Sequence, residues 1–187
     1  MINLELIIKI LTLVFIVVFF LTRACFVGYN KKHTFRRSIK YIIALILFFF
    51  YFKGYFDFAI LQFDLYLRLI LGILVILLGM SLFFWAHYYL GKNWSPILEK
   101  KFSKSKKLIK SGPYYYLRHP IYTASFITLL GFFILTANWM LTGIPLIVLV
   151  LFYMYKMPRE EKELINNFGK EYLKYKKNTG GLIPKIK

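Results

Sequence analysis

LYLRLILGILVILLGMSLFFWAHYYL, from Leu65 to Leu90, exceeds the roughly twenty apolar residues that carry a helix across a bilayer core. The reading of this run decides the fold. Two comparable runs precede it, Ile2 to Leu21 and Tyr41 to Phe63, and two follow it, Ile121 to Ala137 and Trp139 to Met157. The sequence therefore predicts an all-α fold: a polytopic membrane helical bundle of about five transmembrane helices. The Asp57 to Asp64 region makes a tight hairpin of the second and third spans, and Thr136-Ala137-Asn138-Trp139 joins the fourth to the fifth. The last two spans are short. Pro145, inside the fifth, is tolerated where neighbours satisfy the carbonyl it frees.

Composition agrees. Of 187 residues, 59% are hydrophobic and 20% aromatic, far beyond the usage of a soluble domain. The length suits one domain over 1–187, with membrane helices 1–3 in 1–90 and the chemistry-bearing loop, helices 4 and 5 and a C-terminal helix in 91–187. The first run lacks a basic leader and a small-residue cleavage site and is too long for a signal peptide, so it is read as a membrane helix. Cys25 stands alone, which excludes an internal disulfide and a Cys-rich metal site; it is read as a small packing residue.

Twenty-six Lys and Arg against eight acids give a net charge of +18. In a soluble chain this points to nucleic acid; here the bases lie between apolar runs, and an anionic membrane surface is the expected partner. Arg23 to Lys40 holds six bases and no acid, and Gly91 to His119 eight bases and one acid, including the run KKFSKSKK at Lys100 to Lys107. The tail from Lys156 holds nine bases and four acids. The Lys53 to Arg68 turn is balanced, with two of each, and Thr136 to Trp139 is uncharged. By the positive-inside rule the N-terminus lies outside and the C-terminus in the cytoplasm.

The tail opens with Pro158, suited to a first helical turn. At about 100° per residue Leu164, Ile165, Phe168, Tyr172 and Tyr175 share one face opposite lysines, which predicts an amphipathic cytoplasmic helix. Glu161 falls in the middle of that apolar stripe and Glu160 at its edge. A carboxylate in a docking face needs a partner. The first turn also favours both through the helix dipole.

SGPYYYLRHPIYTAS, Ser111 to Ser125, puts unusual chemistry at the mouth of the fourth span. Ser111-Gly112-Pro113 is a turn signal, and Pro120 starts the span, so Tyr114 to His119 is expected to be held extended. Arg118 is a forked donor suited to a carboxylate, His119 can hydrogen-bond or titrate, and Tyr114 and Tyr122 can wall a pocket. Taken singly these residues also fit a snorkelling arginine and an interfacial tyrosine belt. Together with Glu160 and Glu161 they suit a zwitterionic cofactor bearing an adenine and a ribose. His33 is read as a solvated loop residue and His87 as a packed polar one; no strand–GxGxxG–helix unit, HExxH, P-loop or nucleophile elbow occurs.

The pattern L-I-x-S-G-P-Y-x-Y-x-R-H-P-x-Y, Leu108 to Tyr122, resembles the signature of the isoprenylcysteine carboxyl methyltransferase family, in a prokaryotic-type form. So do E-E-x-x-L-x-x-x-F-G-x-E-Y-x-x-Y, Glu160 to Tyr175, the closing G-L-I-P at Gly181 to Pro184, and the lead-in L-G-K-N-W-S at Leu90 to Ser95. The resemblance covers the C-terminal half and implies an integral membrane methyltransferase that uses S-adenosylmethionine and releases S-adenosylhomocysteine. It implies cofactor contacts from Lys106, Lys107, Leu108 and Ile109, then Tyr114, His119, Pro120, Ile121 and Tyr122, completed by Glu160 or Glu161. The motif register selects Glu160 and the helical wheel Glu161 as the inward residue; both stay open. Arg118 would neutralise or orient the acceptor's carboxylate, with Lys156 where the family often has arginine, so these two are the catalytic candidates. No metal is implied. The acceptor would be a lipophilic or prenylated molecule, with a phospholipid amine as alternative and a non-catalytic anchor or sterol-reductase-like relative as the third reading. Lys, Ile, Phe, Tyr and Asn richness suggests an AT-rich prokaryotic genome, hence a plasma membrane with the site facing the cytoplasm.

Overall fold

The structure, a computed structural model, describes residues 4–27, 46–47, 49–91 and 107–185. It is helical, and among the described residues β-pairing is limited to two isolated bridges. Two compact units form, residues 1–76 with 129–146 and residues 77–128 with 147–187. The elements are α1 (Leu4–Val27), α2 (Leu65–Leu90), α3 (Pro113–Tyr116), α4 (Pro120–Thr136), α5 (Ile144–Phe168) and α6 (Lys170–Asn178).

By length and composition, two helices among the described residues can cross a membrane: α2 and the 30-residue Trp139–Phe168, which is α5 with a leading π-helical turn. Only 33% and 11% of their most apolar stretches are buried. A core helix of a soluble protein would be covered; these present apolar side chains that need lipid. The chain is an integral membrane protein. α4 is shorter, at 17 residues. The second expected span, Tyr41 to Phe63, lies partly outside the described residues; its described part is helical only to 52 and then turns at 53–56 into a short 3-10 turn, Asp57–Ala59.

In the first unit α2 and α4 touch backbone to backbone. A Cβ placed on Gly72 would lie 2.7 Å from the Leu135 Cα, and one on Gly131 would lie 2.6 Å from the Ile76 nitrogen. Small residues at such crossings let membrane helices gain dispersion contacts that lipid cannot replace. At the C-terminal end of α4, buried Arg68 donates through Nη2 to the carbonyls of Leu135 (3.3 Å) and Thr136 (2.9 Å). It thereby satisfies acceptors that a helix end leaves unpaired. Glu5 lies 3.8 Å from the same guanidinium. Asn138 caps the π turn, its Oδ1 accepting from the Leu141 amide at 2.8 Å, while its Nδ2 donates to the Phe56 carbonyl at 2.9 Å.

The second unit contains every described residue with candidate chemistry. Two expectations change here. Tyr114 to His119 is not extended throughout: Pro113 presets the first turn of α3, and extended backbone begins only at Leu117 (φ −130°, ψ 135°). Pro158 does not start a new helix. α5 runs through it from the apolar span to Phe168; a membrane-edge proline removes one backbone donor, and the continuous helix tolerates the loss. The break comes at Gly169, whose φ of +53° an L side chain rarely adopts, and α6 follows it.

Candidate functional site

The tail beyond α6 forms a strap along the start of α4. Leu117 and Gly180 make a parallel bridge. The Arg118 amide donates to the Gly180 carbonyl at 2.8 Å, the His119 amide to that of Gly181 at 3.2 Å, and Thr123 Oγ1 to that of Leu182 at 2.8 Å. Tyr175, buried on α6, donates its hydroxyl to the Tyr114 carbonyl at 2.6 Å. Burial pushes that hydroxyl above its ordinary range, more than the opposing pull of Arg118, so it stays a protonated donor. The strap and α6 thus fix the backbone on which the conspicuous RHP triplet sits.

Glu161 is the centre of the charge arrangement. Its side chain is 9% exposed, and it accepts from Arg118 Nε at 2.8 Å and from Lys176 Nζ at 2.6 Å, with His119 Nε2 at 3.4 Å. Burial alone pushes its carboxyl up, but the hydrogen bonds from His119, Lys176 and Arg118 outweigh it and hold the group well below the usual carboxylate range. Arg118 also donates through Nη1 to the carbonyls of Thr179 and Lys176. Two of its three nitrogens therefore hold the protein together. Glu160 is less enclosed: its Oε2 lies 3.7 Å from His119 Nδ1 and its Oε1 3.8 Å from Lys156 Nζ.

Beside these carboxylates stands an aromatic column. The His119 and Tyr122 rings stack at 5.4 Å, and Tyr122 and Tyr153 at 4.2 Å, both with interplanar angles of 10°. Lys156 lies over the Tyr122 and Phe152 rings, 4.9 and 5.1 Å from their centroids.

Of the residues singled out in the sequence, Tyr114, Arg118, His119, Tyr122, Lys156, Glu160 and Glu161 share this one unit. All but Tyr114 are joined by the contacts above, and Tyr114 meets α6 through its carbonyl. Pro120 is buried at the head of α4 with Ile121 half-buried behind it. Leu108 and Ile109 are half-buried and Lys107 exposed in the irregular approach, where Lys110 pairs with Glu171 at 2.6 Å. Lys106 lies outside the described residues, as do His33 and the KKFSKSK run. Three contributors escaped the sequence reading. Tyr153 could have been found, because Tyr153, Lys156 and Glu160 recur at helical spacing. Lys176 and Thr179 could not: they reach Glu161 and Arg118 across the Gly169 break, which no local pattern announces. Among the described residues no cluster of His, Cys, Asp and Glu is arranged for a metal.

A family model described as phospholipid methyltransferase matches residues 67–171. The chain is 35% identical over 96 residues to the protein-S-isoprenylcysteine O-methyltransferase of Schizosaccharomyces pombe, covering 51% of this chain and 41% of that protein. It is 33% identical over 132 residues to the protein of the same name from Saccharomyces cerevisiae, covering 70% and 55%, and 32% identical over 117 residues to that of Homo sapiens, covering 62% and 41%. The chain thus spans about half the length of these relatives. The solved structure of the eukaryotic intramembrane Ras methyltransferase ICMT, isoprenylcysteine carboxyl methyltransferase, is similar with a TM-score of 0.61 at 26% identity, covering 84% of this chain and 55% of that one.

Proposed function

The chain belongs to the phospholipid methyltransferase family, and from that premise we propose that it transfers a methyl group from S-adenosylmethionine to the carboxylate of an isoprenylcysteine-like lipid. The single observation that carries this reading is Glu160, a carboxylate set between His119 and Lys156 beside the His119–Tyr122–Tyr153 column. The names of the relatives support the acceptor.

The residues suit the donor. Glu160 can accept from ribose hydroxyls or an amino group, His119 can hydrogen-bond beside it, and the stacked rings offer a face to a planar base. When bound, S-adenosylmethionine supplies a methyl group already activated on sulfonium. The protein's task is then placement and exclusion of water rather than acid–base catalysis. Glu161, Arg118 and Lys176 perform the first part by locking the turn that carries His119. We assign Arg118 to this clamp. Lys156 becomes the cation that faces the acceptor's carboxylate; it is a point charge, without the fork of an arginine. The site faces the cytoplasm of a prokaryotic plasma membrane, in keeping with the basic loops on that side.

The family's description favours a second acceptor, a phospholipid amine, for which Lys156 would hold the phosphate. Two assays separate these readings. Calorimetry with S-adenosylhomocysteine should show binding to the purified chain and its loss in His119→Ala and Glu160→Ala; undiminished binding in both defeats the donor site. Turnover of farnesyl-cysteine analogues but not phosphatidylethanolamine is the expected acceptor result, and the reverse pattern selects the amine.

A further inference from the structure

A cleft of about 320 Å³ lies in the same unit, lined by Met157, Pro158, Glu161, Lys162, Ile165 and Lys176. None of Tyr114, His119, Tyr122 or Glu160 lines it. It opens along the 157–161–165 face of α5, whereas the donor residues use the 153–156–160 face of the same helix. The proposed methyl transfer has no use for it.

We propose that this cleft seats the headgroup of an anionic phospholipid from the cytoplasmic leaflet. Three features support that occupant. The first is depth: the apolar run of α5 ends at Met157, so Met157 and Pro158 mark the hydrocarbon edge. Lys162, five residues on, rises about 7.5 Å further at 1.5 Å per residue, within the headgroup layer. The second is charge. Glu161, the one acid in the lining, already accepts from Arg118 and Lys176. Lys162 is exposed, and among the described residues it makes no ion pair. The lining therefore presents positive charge that an anion can complete. The third is the mixed wall: Met157 and Ile165 give an acyl chain an apolar start beneath the lysines. Basic recesses at the cytoplasmic ends of membrane helices hold acidic headgroups by this combination.

The test uses the full chain in phosphatidylcholine nanodiscs, titrated with phosphatidylglycerol in the absence of methyl donor and acceptor, with the thermal unfolding midpoint as readout. The midpoint should climb with phosphatidylglycerol. Lys162→Gln should weaken the apparent affinity about fivefold and Lys162→Glu more, while Lys174→Gln, an equal charge change at an exposed position of α6, should leave it unaltered. Equal losses in Lys162→Gln and Lys174→Gln would reduce the effect to general surface charge and overturn the site, as would no shift at all. A shift produced by a farnesyl-cysteine carboxylate in pure phosphatidylcholine and lost in Lys162→Gln would give the cleft to the acceptor instead. S-adenosylhomocysteine binding should be untouched by Lys162→Gln, so failure of the lipid site and failure of the donor site are separately visible.

Discussion

Glu160 and Glu161 are chemically identical neighbours in different surroundings, and exchanging either for glutamine should separate the roles proposed for them. Glu161→Gln leaves largely buried Arg118, and Lys176 on the open side of the cleft, facing a neutral amide. Breaking one partner of a buried pair costs about 3 kcal/mol or more, so the unfolding midpoint in detergent should fall clearly. Glu160→Gln, more exposed, should leave the midpoint nearly unchanged and weaken S-adenosylhomocysteine binding at least about tenfold, the loss of one charged hydrogen bond. Because the folded protein holds Glu161 below its ordinary range, its contribution is complete above the unfolded value of about 4.3 and disappears as pH falls beneath it. Unfolding curves should therefore show acid destabilisation setting in below about pH 4.3, and Glu161→Gln should remove that component. The motif register and the helical wheel disagreed over this pair because each located a different one: the wheel found the buried residue, Glu161, and the register the one proposed for the donor, Glu160.

At the scale of elements, close backbone approaches are the vulnerable points. A Cβ on Gly79 would come within 2.6 Å of the Thr128 amide nitrogen. Gly79→Val should push α2 from α4 and lower the midpoint as an overpacked core does, by about 2 kcal/mol. Gly180→Ala should act on function. Its Cβ would strike the Ile183 carbonyl and lie 2.8 Å from the Lys185 nitrogen, backbone that can yield only by lifting the strap. With the strap go the hydrogen bonds to the Arg118 and His119 amides, and S-adenosylhomocysteine affinity should drop at least about tenfold, the equivalent of one hydrogen bond. The apolar runs made α1, α2, α4 and α5 readable, since length and hydropathy alone dictate them. The helix break was misplaced. Proline at 158 is the stronger local signal, yet the helix crosses it, and the chain turns instead at Gly169, where a left-handed backbone rather than a lost donor ends the run.

At the scale of the whole molecule, the asymmetry of basic loops makes an orientation test decisive. A fluorescent protein fused after Lys187 should mature and fluoresce, while alkaline phosphatase fused there should stay inactive; the opposite pair of results would invert the topology. The membrane class was legible because apolar composition leaves few alternatives. Two motifs made the candidate site legible as a set of residues. Its wiring was not, since Lys176 and Thr179 meet Glu161 and Arg118 only after the chain has turned at Gly169. One consequence concerns ancestry. Every residue proposed for the donor comes from residues 77–128 and 147–187, so on that proposal selection for methyl-donor chemistry acts on that portion while the opening helices drift. A chimaera carrying the first sixty-four positions of a distant homologue should accordingly still bind S-adenosylhomocysteine, whatever becomes of its taste in lipids.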